Sequence, residues 1–215
     1  AENVQENFRR FCAAVGTDPM RVVLSKQVHE PNVRLVTGAD AGKGLWRERD
    51  YQSVDAMICN TPNLPLVVFS ADCGIILLHD PVHAAVGAVH AGWRGAAQGL
   101  VSIALRRMGE VFGTHPADVR AAIGAGIGQC CFETDGDVPQ AMRAALGAAA
   151  EPYIEQRGAK WHVDLKGINA HWLRADGVEQ IDVCAHCTAC RPDLYWSHRR
   201  MGNARGAQIA MIALR

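Results

Sequence analysis

No apolar run in this sequence reaches the roughly 18 residues that a membrane-spanning helix needs. The first residues, Ala1 to Asn7, are polar and carry no signal-peptide core. Neither charge is in excess: 22 Lys and Arg balance 22 Asp and Glu, so no bulk attraction to nucleic acid or to a membrane surface is expected. Repeats, low-complexity tracts, charged tails and linkers are also missing, and residues 1–215 therefore read as one soluble domain. A chain of this length buries a core without staples. The eight cysteines, several in apolar strand-like runs, then read as free, buried or metal-bound thiols of a cytoplasmic protein rather than as a disulfide framework.

What is present is a loose alternation of strands and helices. Apolar spacing predicts a helix over residues 4–15, stopped by Gly16. Short strands are expected at 22–24 and 33–36, then at 56–59, 66–69, 74–78 and 84–89. The glycine-rich, charged stretch 37–53 reads as a loop. Leu100, Ile103, Ala104 and Met108 repeat at helical spacing within 95–111. Further on come a strand at 119–123, a helix at 138–150, a strand at 161–165, a helix at 166–175, and strands at 181–183 and 209–214. Because some strands follow one another directly, the expected fold class is α/β (α+β) with mixed sheets flanked by helices.

The densest chemistry lies between Ser70 and Gly95. Asp72 and Cys73 stand between two apolar strands, and His90 ends the strand after them. A hairpin brings Cys73 and His90 to one sheet edge, where reactive groups are usually displayed. Gly92 and Gly95 allow tight backbone around Trp93 and Arg94.

The segments Gln27-Val28-His29, Ala71-Asp72-Cys73 and His90-Ala91-Gly92-Trp93-Arg94-Gly95 resemble the signature of the laccase-domain family. That family was first described as multicopper polyphenol oxidases and is now regarded as zinc-dependent purine nucleoside phosphorylases with adenosine deaminase activity. The resemblance continues through residues 123–133, through His162-Val163-Asp164-Leu165 with Asn169, and through Cys187-Thr188 and Ser197-His198-Arg199-Arg200. It implies a layered α/β/β/α sandwich and a metal held by His29, Cys73 and His90. Such a His₂Cys set leaves one position open on tetrahedral zinc, which lowers the pKa of a bound water to about 7. Copper competes for the same donors. The implied reactions are phosphorolysis of adenosine, inosine, guanosine and methylthioadenosine, and deamination of adenosine at C6. Beside the ligands, Asp72 is a candidate to orient a ligand or shuttle a proton. Arg94 is a candidate for phosphate or ribose oxygens, with a structural ion pair as its plainer role. Arg199 and Arg200 form a second candidate anion site, with a solvated basic pair as the alternative. Family members usually begin with a strand and an Arg-bearing loop ahead of the helix seen here near residue 4, so that segment is expected to be missing from this chain.

Other features invite less. Cys184, Cys187 and Cys190, with His186, have knuckle-like spacing, but only Cys187 matches the resemblance, and Cys130-Cys131 reads as packed in a turn; no second metal site is expected. Residues 124–128 lack the Walker Lys-Ser/Thr and read as a tight turn near the site. His79, His83, His115, His162 and His171 read as surface or satisfied core histidines. Nine histidines without one His-x-His pair argue against a multicopper laccase. A metal-free Cys73–His90 hydrolase dyad and a non-catalytic binding domain stay open. His29 discriminates the dyad, which does not need it.

Overall fold

The opening helix α1 (Glu2–Val15) turns Phe8 and Cys12 inward and leaves its charged residues to solvent. The computed structural model describes residues 2–215. Their strands form three sheets. The largest has the order β11 (Gln180–Val183), β7 (Arg120–Ile123), β5 (Gly74–Asp80), β6 (Ala85–Ala91), β3 (Ala56–Cys59) and β2 (Val33–Leu35). Its centre is antiparallel, and the outer pairs β11–β7 and β2–β3 are parallel. In the second sheet β4 (Leu66–Ser70) lies between β1 (Val23–Leu24), parallel to it, and β12 (Gln208–Ile212), antiparallel. The third is a small antiparallel sheet of β8 (Glu133–Thr134), β10 (Lys160–Val163) and β9 (Ile154–Arg157).

The two-residue period of the strands sorts the core into layers. Ile76 and Leu78 of β5 and Val89 and Ala91 of β6 face α3 (Leu100–Phe112) and α5 (Leu165–Ala175). Their neighbours Ile75, Val86 and Ala88 face Leu66 and Val68 of β4. Val67, on the other side of β4, meets Phe8 and Cys12 of α1. The order is helix, sheet, sheet, helix, the α/β/β/α sandwich that the resemblance implies. Each large aliphatic side chain so enclosed contributes about 1.5–3 kcal/mol.

Some local expectations give way to the structure. The helix expected over 95–111 is two, α2 (Trp93–Ala97) and α3, separated at Gly99, whose left-handed φ of 63 breaks the helix and favours glycine. The helix expected to run to residue 150 ends as α4 (Asp137–Leu146), where Gly147 turns to φ 57 and a tighter 3₁₀ stretch follows. β8 and β9 lie on charged segments that carry no apolar alternation and were not expected. The 37–53 segment is a loop with a buried anchor, Asp40 and Lys43. No helix among the described residues is long and apolar enough to cross a membrane.

Strand direction decides where the chemistry falls. β4 and the parallel β1 run toward one end of the two sheets, and the chain then crosses from the smaller to the larger sheet through residues 71–73 and 25–32 respectively. β6 arrives at the same end, and β3 leaves from it. β7 and β11 also finish there, and β12 starts there. The segments that carry His29, Cys73 and His90, and those that follow β7 and β11, therefore open onto a single end of the sandwich.

Candidate metal centre

Cys73 sits in the short crossover between β4 and β5, and the pairing of Gly74 with Ala91 and Ile75 with His90 sets it beside the end of β6. Ser70 helps to shape that crossover by donating its hydroxyl to the Cys73 carbonyl at 2.7 Å. His29 comes from the other crossover. Gln27 fixes this segment by reproducing a strand pairing with its side chain: its amide donates to Phe69 O at 2.8 Å and accepts from Phe69 N at 2.7 Å. The ligand atoms of His29, Cys73 and His90 all lie within 4.8 Å of one another. Cys73 Sγ is 3.8 Å from His29 Nε2, and the two imidazoles meet edge-on with centroids 5.0 Å apart.

A residue that the sequence reading passed over organises this group. Asp55, fully buried, stands immediately before β3 and opposite His90, whose N–H donates to the Asp55 carbonyl. Its carboxylate accepts from His90 Nδ1 at 2.9 Å and from the backbone N–H groups of Val28, His29 and Glu30 at 2.8, 3.0 and 3.3 Å. One side chain thus orients the buried histidine, leaving Nε2 as its free ring nitrogen, and holds the loop of the exposed histidine. His29 itself has φ 66, a conformation that costs a non-glycine residue of order 1 kcal/mol and that the three amide bonds offset. The only signal in the sequence was a lone acid heading an apolar strand.

Electrostatics follow from this arrangement. Burial opposes ionisation of Cys73, but its contacts with His29 and His90 outweigh it and bring the thiol down to about 6. Burial likewise opposes charge on His90, yet the Asp55 carboxylate and Cys73 raise it to about 9. Burial pushes the Asp55 carboxyl up, and His90 with the loop amides more than reverses it. Both shifts favour the charged forms, a thiolate facing an imidazolium.

The donors suit zinc or copper: two imidazoles and a thiolate, one histidine already tied to a carboxylate as metal-bound histidines usually are. Gly92 keeps the space clear. A Cβ there would stand 3.0 Å from both Cys73 Sγ and His29 Cδ2. The set is graded from buried His90 through Cys73 to exposed His29, so its open side faces solvent.

The whole chain, residues 1–215, matches the family described as multi-copper polyphenol oxidoreductase laccase. The chain belongs to the laccase-domain family. It is 32% identical over 219 residues to the purine nucleoside phosphorylase YlmD of Bacillus subtilis, covering 99% of this chain and 78% of that protein. Identity to the purine nucleoside phosphorylase YfiH of Escherichia coli is 32% over 199 residues, 93% of this chain and 76% of that protein. Among solved structures, the YfiH protein of Bacillus licheniformis superposes with a TM-score of 0.95 at 31% identity, covering all of this chain and 82% of that one. YlmD from Geobacillus stearothermophilus gives 0.91 at 31%, covering 99% and 80%.

The other candidate residues of this laccase-domain chain surround the same end. Asp72, at φ 95, accepts from Thr188 Oγ1 at 2.6 Å and from the backbone N–H of Arg199 at 2.7 Å, and its carbonyl accepts from Ile127 N at 2.8 Å. It fastens the 124–128 turn, the 184–191 loop and α6 (His198–Met201) to the crossover that bears Cys73. Arg94 is exposed and stacks on Trp93 at 4.3 Å, with no ion-pair partner among the described residues. Arg199 donates to the carbonyls of Cys131 and Glu133, at 3.0 and 2.8 Å, and Arg200 donates to that of Ala189 at 3.3 Å.

One expectation is corrected here. Cys130 and Cys131 do not merely pack in a turn: the ligand atoms of Cys130, Cys131, Cys187 and Cys190 lie within 4.8 Å of one another. The 55 positions between Cys131 and Cys187 hid the relation, which exists only because β7 and β11 end side by side. Cys184 is not in the group. The remaining histidines behave as expected, with His83 held by Asp80 and the buried His162 held by the Gln129 carbonyl.

Proposed function

We propose that this chain is a purine nucleoside phosphorylase acting on adenosine, inosine, guanosine and methylthioadenosine, with adenosine deaminase activity at the same site. Zinc is assigned to His29, Cys73 and His90. The observation that carries the reading is this His₂Cys group with an exposed open side, in a chain of a family whose relatives are named purine nucleoside phosphorylases. A zinc ion in such a site supplies Lewis acidity and makes water a nucleophile near neutral pH.

The chain's own residues do the rest. Asp55 keeps a proton on His90 Nδ1 and so presents Nε2 to the metal. Cys73 contributes a thiolate at neutral pH. Gly92 leaves room above the ligands. Arg94, exposed and unpaired, is assigned to phosphate or ribose oxygens. Asp72 is assigned to orienting the site or moving a proton, from a position fixed by Thr188 and Arg199. Arg199 and Arg200 are assigned to a second anion contact through the N–H groups that their carbonyl partners leave free. In phosphorolysis a phosphate oxygen bonds to C1′ as the C1′–N9 bond breaks, giving free base and ribose 1-phosphate. In deamination water adds at C6 of adenosine and ammonia leaves.

The laccase reading of the family description has little support in these residues. Multicopper chemistry needs several histidine-rich copper sites, and among the described residues only one convergent group contains histidine. A metal-free Cys73–His90 hydrolase has one observation in its favour, the convergence of the Cys73 thiol and the His90 imidazole, whose mutual contact lowers the first and raises the second. Product analysis by mass spectrometry separates the readings. Zinc-loaded protein given adenosine yields inosine without phosphate, and free base with ribose 1-phosphate only when phosphate is added. Folded, zinc-loaded protein that turns over no nucleoside overturns the proposal. Hydrolase activity that survives His29→Ala and zinc removal establishes the dyad instead.

A further inference from the structure

The cysteine group stands apart from His29, Cys73 and His90 and has no part in the chemistry assigned to them. Cys130 and Cys131 come from the turn after β7, and Cys187 and Cys190 from the loop after β11. Cys190 Sγ lies 3.7 Å from Cys130 Sγ and 3.4 Å from Cys131 Sγ. A disulfide needs about 2.05 Å between sulfurs. Four thiolates placed tetrahedrally at about 2.3 Å from one zinc ion stand about 3.8 Å from each other. The sulfurs are thus spaced for one shared ion and not for a covalent pair. A [4Fe–4S] cluster needs each thiolate on a different iron, and sulfurs this close have no room for one.

The surroundings are those of a thiolate site. The backbone N–H of Gly128 donates to Cys187 Sγ at 3.1 Å. A Cβ on Gly128 would stand 3.1 Å from Cys187 Cβ and 3.2 Å from Cys130 Sγ, so glycine lets that amide reach the sulfur. One zinc with four thiolates carries a net charge of −2. The guanidinium groups of Arg199 and Arg200, bonded to the Cys131 and Ala189 carbonyls, place two cations on the same loops. The turn is further shaped by N–H bonds from Cys131 and Phe132 to the Gly128 carbonyl.

We propose that Cys130, Cys131, Cys187 and Cys190 bind a second zinc ion as a closed, structural tetrathiolate. On binding, the four thiols give their protons to solvent. All four positions are filled by protein, so this ion takes no substrate. Its task is to join the loop after β7 to the loop after β11. Those loops supply Thr188 to Asp72 and the carbonyls that receive Arg199, and through them the ion holds the frame around Cys73. The assignment rests on the sulfurs and their loops and is independent of the nucleoside reading.

The test is zinc content of protein purified anaerobically with zinc, measured by inductively coupled plasma mass spectrometry, together with the charge-transfer spectrum of cobalt-substituted protein. Wild type is expected to hold two zinc ions per chain. Cys130→Ser/Cys190→Ser drops to one and loses the tetrathiolate cobalt bands. Should that variant fail to fold, His29→Ala/Cys73→Ala gives an equivalent reading, since it must keep one zinc and those bands intact. Wild type with a single zinc that His29→Ala/Cys73→Ala removes completely overturns the proposal. So does iron in place of zinc at the cysteines, or a Cys131–Cys190 disulfide in peptides of the anaerobically purified protein.

Discussion

The two groups of side chains to which zinc is assigned share one end of the sandwich and are built on opposite plans. His29, Cys73 and His90 offer three donors of two kinds, graded from buried to exposed, with Asp55 orienting the buried histidine. The cysteines offer four donors of one kind, all from loops that the sheet itself does not fix. Two imidazoles and a thiolate, carried by two crossovers and a strand end, leave a position free on the assigned zinc, and the backbone has already set their places. Four like donors leave none free, and here the ion sets the places of the loops. Under these two assignments the same element serves chemistry in one group and architecture in the other.

The sharpest way to break this contrast is to remove the donors of the open site. His29→Ala, Cys73→Ala and His90→Ala should each lower both phosphorolysis and deamination by about 10³-fold or more, because the Lewis acid contributes several kcal/mol to the transition state. Circular dichroism should stay native in each. Equal loss in both reactions, measured by product chromatography, ties them to one ion.

The closed site should answer in stability instead. An ion that links residue 131 to residue 187 acts as a cross-link across a long loop, worth about 2–4 kcal/mol. Cys130→Ser/Cys190→Ser should lower the denaturant midpoint accordingly and make it insensitive to chelators, whereas the wild-type midpoint falls when zinc is removed. Asp55→Asn tests the divide from the other side. It keeps the donors but loses the carboxylate on His90, and zinc affinity at the open site should fall about 10- to 100-fold in a chelator competition, while the tetrathiolate cobalt bands do not move.

A third buried group shows what clustered charge looks like when no ion is called for. Asp40 accepts from Arg34, Lys43 and the Thr37 N–H at 2.7, 2.8 and 2.9 Å, and Lys43 also reaches Asp50 at 2.7 Å. Burial works against the Asp40 carboxylate, but these donors prevail and hold it at about 2, below its ordinary 3.8. A depressed carboxyl stabilises the fold above its unfolded value and ceases to do so as pH falls through the folded one. Asp40 should therefore contribute about 2 kcal/mol above roughly pH 4, lost toward pH 2. Urea melts of Asp40→Asn should lack that acid limb, and zinc chelation should leave the limb unchanged in wild type.

How far the sequence reveals this molecule depends on the range of the relation involved. The β5–β6 hairpin was legible because Cys73 and His90 flank adjacent apolar runs, so their convergence needs only local pairing. His29 was legible through the family-like motif, and the layered fold through alternating apolar residues. Asp55 was not, because an acid before a strand looks like any strand boundary until the register puts it opposite His90. The cysteine group was hidden by a parallel pairing of β7 with β11, which leaves no local trace. Gly99 was read through as helix because the apolar spacing continues across it, and only its left-handed backbone discloses the break.

The smallest expected effect bears most directly on the open plan of the His29, Cys73 and His90 group. Gly92 has φ −64 and ψ −179, an ordinary extended conformation, so alanine there carries no backbone strain. What alanine adds is one methyl group 3.0 Å from both Cys73 Sγ and His29 Cδ2. His29 is exposed and can give way, which limits the cost to roughly 1–2 kcal/mol of overpacking. Gly92→Ala should weaken zinc at this site by about tenfold, since 1.4 kcal/mol corresponds to that factor. The melting temperature of the metal-free protein should hardly change. If zinc affinity by chelator competition is unaltered and phosphorolysis still falls, the methyl group is blocking substrate, and the space above the ligands is an entrance as well as clearance. If affinity falls in step with activity, Gly92 serves the ion alone.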